Sequence, residues 1–128
     1  MDLHKRQDSE KRGRWAEHLA ALWLQLCGYK IIARRQKTPF GEIDLIACKP
    51  RQRRVIFAEV KYRRDKTALP ASLTPQAQKR ITQAAHYITS RTPAIQPFSQ
   101  RFDLILISPL GPLPLGHIQH LKDGWRTY

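Results

Sequence analysis

The sequence predicts an α/β fold in which a mixed β-sheet is flanked by helices. Three observations carry this prediction. An apolar stripe at helical spacing opens the chain, three β-rich runs follow it, and a second helical stripe precedes one further strand. The predicted element order is therefore α-β-β-β-α-β. The chain has 128 residues, of which 41% are hydrophobic, so we expect one folded domain over residues 1–128.

The first helix is predicted over residues 9–27, and Gly28 occupies the position where a glycine commonly ends a helix. The apolar stripe of this helix consists of Trp15, Leu19, Leu22, Trp23 and Leu26. Residues 1–10 are polar and are expected to be frayed. A short strand is predicted over 29–34, and a turn over 36–41 follows it.

Two β-rich runs are predicted next, over residues 42–49 and 55–62. The intervening residues 50–53 are short enough to join the two strands as a hairpin. Residues 63–73 are charged and show no periodic pattern, so we expect a flexible connector there.

The second helix is predicted to begin at Thr74 and Pro75, because threonine can cap a helix and proline is tolerated in its first turn. Its apolar stripe consists of Ile81, Ala84, Ala85 and Ile88. Residues 101–108 alternate as a strand, with Asp103 placed either to support a site or to hydrogen-bond locally. No element is recognised in the tail, residues 109–128.

The register of the predicted hairpin determines where its charged residues meet. If the turn is centred on residues 51 and 52, paired residues have numbers that sum to 103. Asp44 then lies opposite Glu59, and Glu42 lies opposite Lys61. Opposed residues share a face of the sheet, as do residues two apart on one strand, so all four charges would converge on one side.

Two opposed carboxylates in apolar strands repel each other unless a cation lies between them. A Mg²⁺ ion, which prefers oxygen ligands, would stabilise Asp44 and Glu59 together. A neighbouring Lys61 could orient a water molecule or stabilise charge that develops on a phosphate. The alternative interpretation is that these charges form the solvated face of a half-buried sheet. The largely apolar flanking residues favour the first interpretation.

The charge balance indicates a polyanionic partner, since 23 Lys and Arg residues outnumber 10 Asp and Glu and give a net charge of +13. Nucleic acid is the commonest such partner of a soluble protein. The sequence contains no stretch of about 20 apolar residues and no secretory signal, so we expect a cytoplasmic protein that does not bind membranes. Cys27 and Cys48 fit no disulfide or zinc pattern.

The hairpin segments Gly41-Glu42-Ile43-Asp44-Leu45-Ile46 and Phe57-Ala58-Glu59-Val60-Lys61 resemble the signature of the PD-(D/E)xK nucleases. More narrowly, the chain resembles the YraN-type family of uncharacterised bacterial proteins, which are similar to archaeal Holliday junction resolvases. The resemblance covers nearly the whole chain and implies a restriction-endonuclease-like fold. Ile43 stands where the motif name has its proline.

By this resemblance, Asp44 and Glu59 are expected to bind Mg²⁺ or Mn²⁺, with Asp44, Glu59 and Lys61 forming the catalytic set. Glu17 on the first helix matches the acidic residue that often completes the metal site. The implied function is that of a metal-dependent endonuclease acting on the phosphodiester bonds of nucleic acid, with branched DNA as the suggested substrate.

Basic and polar residues near the hairpin are expected to contact the nucleic-acid backbone. On the second helix, Gln78 and Lys79 match a position from which similar nucleases reach a metal-associated water or a phosphate. Arg35, Arg63 and Arg64 flank the predicted site in the sequence and would surround its mouth. An unfocused basic surface is the alternative interpretation of these arginines.

Two other functions remain open at this point. One is a nucleic-acid-binding module that has the nuclease fold but no catalytic activity, and the other is a basic interaction protein. A protein that acts on a two-fold DNA junction is expected to be a homodimer, although no motif in the sequence shows an interface.

Overall fold

The computed structural model describes residues 3–63, 73–109 and 117–124. The elements formed by these residues are, in chain order, α1 (Leu3–Leu26), β1 (Lys30–Thr38), β2 (Gly41–Lys49), β3 (Arg54–Tyr62), α2 (Pro75–Ser90), β4 (Ser99–Ser108) and β5 (His117–Leu121). The predicted α/β class and the order α-β-β-β-α-β are confirmed. The strand β5 follows them, in the tail where the sequence showed no element.

The described strands form one sheet in the order β1-β2-β3-β4-β5. Neighbouring strands are antiparallel except for β3 and β4, which are parallel. A parallel pair needs a crossover connection, and the chain between β3 and β4 includes α2. The sheet is therefore mixed: short turns join β1, β2 and β3 as antiparallel neighbours, and a crossover that includes α2 joins β3 and β4 as parallel neighbours.

Each helix packs against its own apolar cluster on the sheet. The cluster beneath α1 includes Leu45, Ala47, Ile56 and Ile105, whereas the cluster beneath α2 includes Ile43, Ile46 and Phe57. Strands covered on both sides are apolar on both faces. This explains why the central runs of the sequence are almost continuously hydrophobic.

The helix α1 differs from its prediction in its start and in its buried face. It begins at Leu3 instead of residue 9, and the fraying of residues 1–10 stays a prediction. Leu22 and Leu26 are 53% and 84% exposed, although they belong to the predicted stripe. From residue 13 onward, where burial in α1 is described, the buried residues are Ala16, Leu19, Ala20, Ala21 and Leu24. Small alanine side chains let the helix backbone approach the sheet closely, and this contact determines which face is buried.

The C-terminal end of α1 has the predicted glycine. Gly28 has a φ of +95°, a left-handed conformation that glycine adopts without the steric cost of a Cβ. The Tyr29 N–H donates to Leu24 O at 2.9 Å, and the Gly28 N–H donates to Gln25 O at 3.0 Å. These are the two hydrogen bonds of a Schellman motif, which satisfies carbonyls at the helix end.

The strand β1 is longer than predicted, because it continues to Thr38 instead of ending at residue 34. The turn to β2 is thereby reduced to two residues, 39 and 40. The Thr38 hydroxyl stabilises this turn, since it accepts a hydrogen bond from Phe40 N at 3.1 Å and donates one to Gly41 O at 2.7 Å. Pairing with β2 keeps the polar residues of this segment in a strand.

The helix α2 begins as predicted. Thr74 Oγ1 accepts a hydrogen bond from Ala77 N at 3.1 Å, and Pro75 is the first helical residue. Ile81, Ala84 and Ala85 of the predicted stripe are buried. The predicted connector over 63–73 falls largely outside the described residues, which resume at residue 73.

A buried polar network attaches β5 to β4. Asp103 is fully buried and accepts hydrogen bonds from Arg101 Nε and Nη2, both at 2.8 Å, and from Asp123 N at 3.0 Å. Its second oxygen also lies 2.7 Å from His120 Nε2. Trp23 Nε1 donates to His120 Nδ1 at 3.1 Å, which links α1 to the network. Two roles were predicted for Asp103, supporting a site or hydrogen-bonding locally, and these contacts are of the second kind.

Both cysteines are free, in agreement with the sequence pattern, and Cys48 is buried while Cys27 is half-buried. Among the described helices, none combines the length and the apolar character that a bilayer crossing requires.

Candidate active site

The hairpin formed by β2 and β3 has the predicted register. The paired residues run from Leu45 with Ala58 to Lys49 with Arg54, and the residue numbers of each pair sum to 103. At this end the pairing stops at Leu45 and does not include Asp44, the preceding residue of β2. At the next position the Asp44 carboxylate replaces the backbone as acceptor, because the Val60 N–H donates to Asp44 Oδ2 at 2.8 Å. Asp44 is thus attached directly to β3.

The alternation of side chains along β2 is interrupted at Asp44. Ile43 belongs to the cluster beneath α2 and Leu45 to the cluster beneath α1, although residues two apart normally share a face. The adjacent strand is irregular at the same level, because Arg35 has a φ of +50° and lies between the pairs Arg34–Leu45 and Gln36–Ile43. A left-handed non-glycine residue inside a strand is a strained backbone position, and such positions occur often at active sites.

The environment of Asp44 disfavours its ionised form. Burial and the neighbouring charge of Glu59 raise the pKa of Asp44 to about 7, although the Val60 N–H and the charge of Lys61 act in the opposite direction. A carboxyl group with such a pKa gains strongly from a cation. A positively charged ligand beside Asp44 would therefore stabilise its ionised carboxylate.

Glu59 and Lys61 complete the central group of charges. Glu59 is only 6% exposed, and Lys61 Nζ lies 3.4 Å from Glu59 Oε1. The two residues are two apart on β3, which places them on the same face of the strand. The structure therefore brings Asp44, Glu59 and Lys61 within electrostatic reach of one another.

The fourth predicted charge of the hairpin is placed differently. Glu42 pairs with Lys37 of β1, and the β2–β3 pairing ends before it reaches Glu42. The expected opposition of Glu42 and Lys61 is therefore not formed. The side-chain alternation of β2 changes at Asp44. The predicted β2–β3 register is therefore correct from Leu45 to Lys49 but cannot be extended to Glu42.

Glu17 projects from α1 toward the strand irregularity and pairs with Arg35. Arg35 Nε lies 2.6 Å from Glu17 Oε2. This hydrogen bond raises the pKa of Arg35, and the charges of Glu42 and Asp44 raise it further. The charge of Glu17 also raises the pKa of Asp44. Glu17 thus neighbours the carboxylate pair Asp44 and Glu59. The charge of Glu17 itself is already balanced by Arg35.

The carboxylates of the site are the candidate ligands for a divalent cation. Within the parts of the chain that the structure describes, no three His, Cys, Asp or Glu side chains form a group suited to hold a metal ion. Mg²⁺, however, is usually bound through one or two carboxylates and retains several waters. Asp44 provides a half-buried carboxylate and Glu59 a buried one, and the raised pKa of Asp44 reflects charge that a cation would balance. The residues present therefore fit Mg²⁺ or Mn²⁺.

The second helix contributes a residue that the sequence analysis did not select. Arg80 Nη1 lies 3.5 Å from the backbone oxygen of Glu42, so this side chain reaches β2 next to the carboxylates. Gln78 instead donates to Leu73 O at 2.9 Å, and Lys79 is exposed. Arg80 is four residues before the buried Ala84, and this helical spacing could have identified it as facing the sheet.

Gly41 at the start of β2 provides a stability test of this packing. Its φ is +131°, and a Cβ there would lie 2.8 Å from Arg80 Nη1. Gly41→Ala should therefore lower the free energy of unfolding by about 1–3 kcal/mol. Gly13 lies within α1 with nothing within 4 Å of a Cβ, so Gly13→Ala should raise it by about 0.5–1 kcal/mol. Urea unfolding of both variants measures the two changes, and equal effects would contradict the combined cost of the left-handed backbone and the close contact with Arg80.

The predicted arginine ring is distributed unevenly. Arg63 follows β3 directly and its guanidinium contacts Tyr62 O at 3.3 Å. Arg64 lies outside the described residues. Arg51 and Arg53 lie at the turn that closes the hairpin, roughly 20 Å along the strand from Asp44 at about 3.3 Å per residue. Among the described arginines expected around the site, Arg35 lies close enough that the charges of Glu42 and Asp44 raise its pKa.

Comparison with known proteins gave consistent matches. The model of the uncharacterised protein family UPF0102 matches residues 16–107. The chain is 41% identical to a UPF0102 protein of Parvibaculum lavamentivorans over 111 residues, covering 87% of this chain and 78% of the relative. It is 38% identical to a relative from Maricaulis maris over 94% of this chain and 89% of the other. A relative from Paramagnetospirillum magneticum is 40% identical over 94% and 91%, respectively.

Proposed function

The chain belongs to the uncharacterised protein family UPF0102, the YraN family that its sequence resembles, and we propose that this member is a metal-dependent endonuclease acting on nucleic acid in the cytoplasm. The observation that carries the proposal is the grouping of a half-buried carboxylate, Asp44, and a buried one, Glu59, with one lysine, Lys61. An ion pair lowers the pKa of a carboxyl group, whereas burial beside a second carboxylate raises it, and the latter arrangement is found at metal and catalytic sites.

Asp44 and Glu59 would hold a divalent cation between β2 and β3. When bound, such a cation supplies neutralisation of phosphate charge and activation of water. The hydrogen bond from Val60 N fixes the Asp44 carboxylate, so that its position does not depend on the metal. The orientation of one ligand by the backbone is the kind of pre-organisation that catalytic sites require.

Lys61 would act on the phosphate. Its ammonium group is close to Glu59 and partly exposed, so a substrate could approach it from solvent. A cation at this position stabilises negative charge that develops on a phosphodiester during hydrolysis. The net charge of +13 supports a polyanionic substrate through long-range attraction.

Cleavage assays test the proposal directly. The resemblance to Holliday junction resolvases makes a four-way DNA junction the first substrate, with linear duplex DNA and RNA beside it, and a two-fold junction would be cut by a homodimer. We expect cleavage with Mg²⁺ or Mn²⁺ and none with EDTA. Asp44→Asn and Lys61→Met should each lower the rate by about 100-fold or more.

Lys122→Met is the matched control, because Lys122 is exposed in the turn after β5 and should leave the rate unchanged. Cleavage that persists in Asp44→Asn would show that the proposed site is wrong. Salt-sensitive binding without cleavage by the wild-type protein would identify a nucleic-acid-binding module instead. Absence of binding at low salt would favour a basic interaction protein.

A further inference from the structure

A basic cavity lies beside the carboxylate pair, between α1 and β1. It has a volume of about 230 Å³ and is lined by Arg14, Glu17, His18, Arg34 and Arg35. One water molecule takes up about 30 Å³ in the liquid, so the cavity can hold a group considerably larger than a single water. Three arginines against one glutamate leave a surplus of positive charge on its walls.

The hydrogen bonds within this cavity leave it rich in donors. Arg34 Nη1 lies 2.9 Å from His18 Nδ1, and an arginine can only donate, so His18 Nδ1 is the acceptor. His18 then carries its proton on Nε2, which provides a further donor at an exposed position. The carboxylate of Glu17 already accepts from Arg35 Nε at 2.6 Å. The carboxylate of Glu17 is thus engaged by Arg35, and Arg34 and His18 Nε2 can donate to a ligand that only accepts.

The cavity is connected to the candidate active site through the Glu17–Arg35 pair. Both residues line the cavity, while Glu17 raises the pKa of Asp44 and the charge of Asp44 raises that of Arg35. A strand of nucleic acid with one phosphate at Asp44 and Glu59 carries further phosphates on either side. One of them would therefore meet this surface.

We infer that this cavity binds a backbone phosphate adjacent to the one that is cleaved, and so positions the nucleic-acid strand across α1 and β1. The inference rests on the proposed function for its substrate class. Arginine is suited to the role because its planar guanidinium can bind phosphate oxygens through two parallel hydrogen bonds. Arg34 and Arg14 are positioning residues in this assignment, since they do not belong to the carboxylate group.

Binding measured without catalysis tests the inference. Fluorescence anisotropy of a labelled four-way junction and a labelled duplex is recorded in EDTA over a series of salt concentrations. For Arg14→Gln/Arg34→Gln, the slope of log affinity against log salt should fall by about 1, and the dissociation constant at low salt should rise about 10-fold. The matched control is Arg51→Gln/Arg53→Gln, which removes the same charge at the distant turn and should change the slope less.

Steady-state kinetics give a second measurement on the same variants. Loss of a contact that holds substrate and transition state equally should raise KM about 10-fold and leave kcat within about twofold. Equal effects of the two double variants on binding would overturn the inference and leave the proposed function intact. A salt slope that weakens in Arg14→Gln/Arg34→Gln, together with a wild-type protein that binds but never cleaves, would uphold the phosphate site while the proposed catalysis fails. Absence of any binding by the wild type would overturn both.

Discussion

Asp44→Asn should stabilise the metal-free protein at alkaline pH while removing its ability to bind a divalent cation. The pKa of Asp44 is raised to about 7, so the folded protein retains a proton that the unfolded chain has already released. The resulting stability is fully present below about pH 4 and is lost as the pH rises through 7. A shift from the ordinary value of 3.8 to about 7 corresponds to about 4 kcal/mol.

Unfolding in urea with EDTA measures this effect. The advantage of Asp44→Asn over wild type should be near zero at about pH 4 and reach about 3–4 kcal/mol above about pH 8. The asparagine oxygen can still accept from Val60 N, so the hydrogen bond is retained. Asp123→Asn serves as the control, because asparagine tolerates the φ of +55° at that position. Parallel pH curves for wild type and Asp44→Asn would contradict the raised pKa.

Addition of Mg²⁺ separates the role of the metal from that of the charge. A ligand that binds only the folded state stabilises it in proportion to the logarithm of its concentration above the dissociation constant. The melting temperature of the wild type should therefore rise with Mg²⁺ at about pH 8, and that of Asp44→Asn should not. Equal rises in both proteins would place the metal elsewhere.

Asp103→Asn should cause a second large change, in the direction of instability. Asp103 is fully buried, and Arg101 bonds both of its oxygens. Removal of the carboxylate charge leaves the largely buried guanidinium of Arg101 without its counterion, which typically costs about 3–5 kcal/mol. Urea unfolding near neutral pH measures the loss, and the exposed Arg51→Gln should change the stability by less than about 0.5 kcal/mol.

A double-mutant cycle identifies the origin of that loss. If the cost arises from the unpaired arginine, Asp103→Asn combined with Arg101→Gln should be less destabilised than the sum of the two single variants. Additive losses would contradict the interpretation and point to Asp123 or His120 as the more important partners.

The lowered pKa of Asp103 also predicts that the folded protein loses stability in acid. Burial alone would raise the pKa of Asp103, but hydrogen bonds from His120 and Arg101 outweigh it and lower the pKa to about 2. A lowered pKa contributes stability that is present above about pH 4 and is lost as the pH falls through 2. The contribution is about 2 kcal/mol, and Asp103→Asn should lack it in acid unfolding curves.

Much of the fold was predictable because short-range chemistry determines it. Thr74 and Pro75 start α2 and Gly28 ends α1, since capping and left-handed backbone depend on the residue at one position. The β2–β3 register was also predictable, because a short turn and two apolar runs allow few pairings. The strand β5 was not, because its residues are held by partners far away in the sequence, such as Asp103.

The buried face of α1 shows where pattern and packing diverge. Leu22 and Leu26 fit the apolar stripe yet are exposed, whereas Ala16 and Ala20 are buried where the helix packs on the sheet. Hydrophobicity scales favour the larger side chain, whereas the closeness of two backbones favours the smaller one. Such a choice depends on the distance between elements, which no local pattern records.

The sequence alone determined the α/β fold and the pairing of β2 with β3. The tertiary structure decided how the charges meet: Asp44 bonds Val60 N at an interruption of the strand, Glu17 pairs with Arg35, and Arg80 reaches β2 from the opposite helix. Local propensity and alternation act over a few residues, whereas these contacts join strands and helices distant in the sequence. Only the packed chain places them within reach of one another.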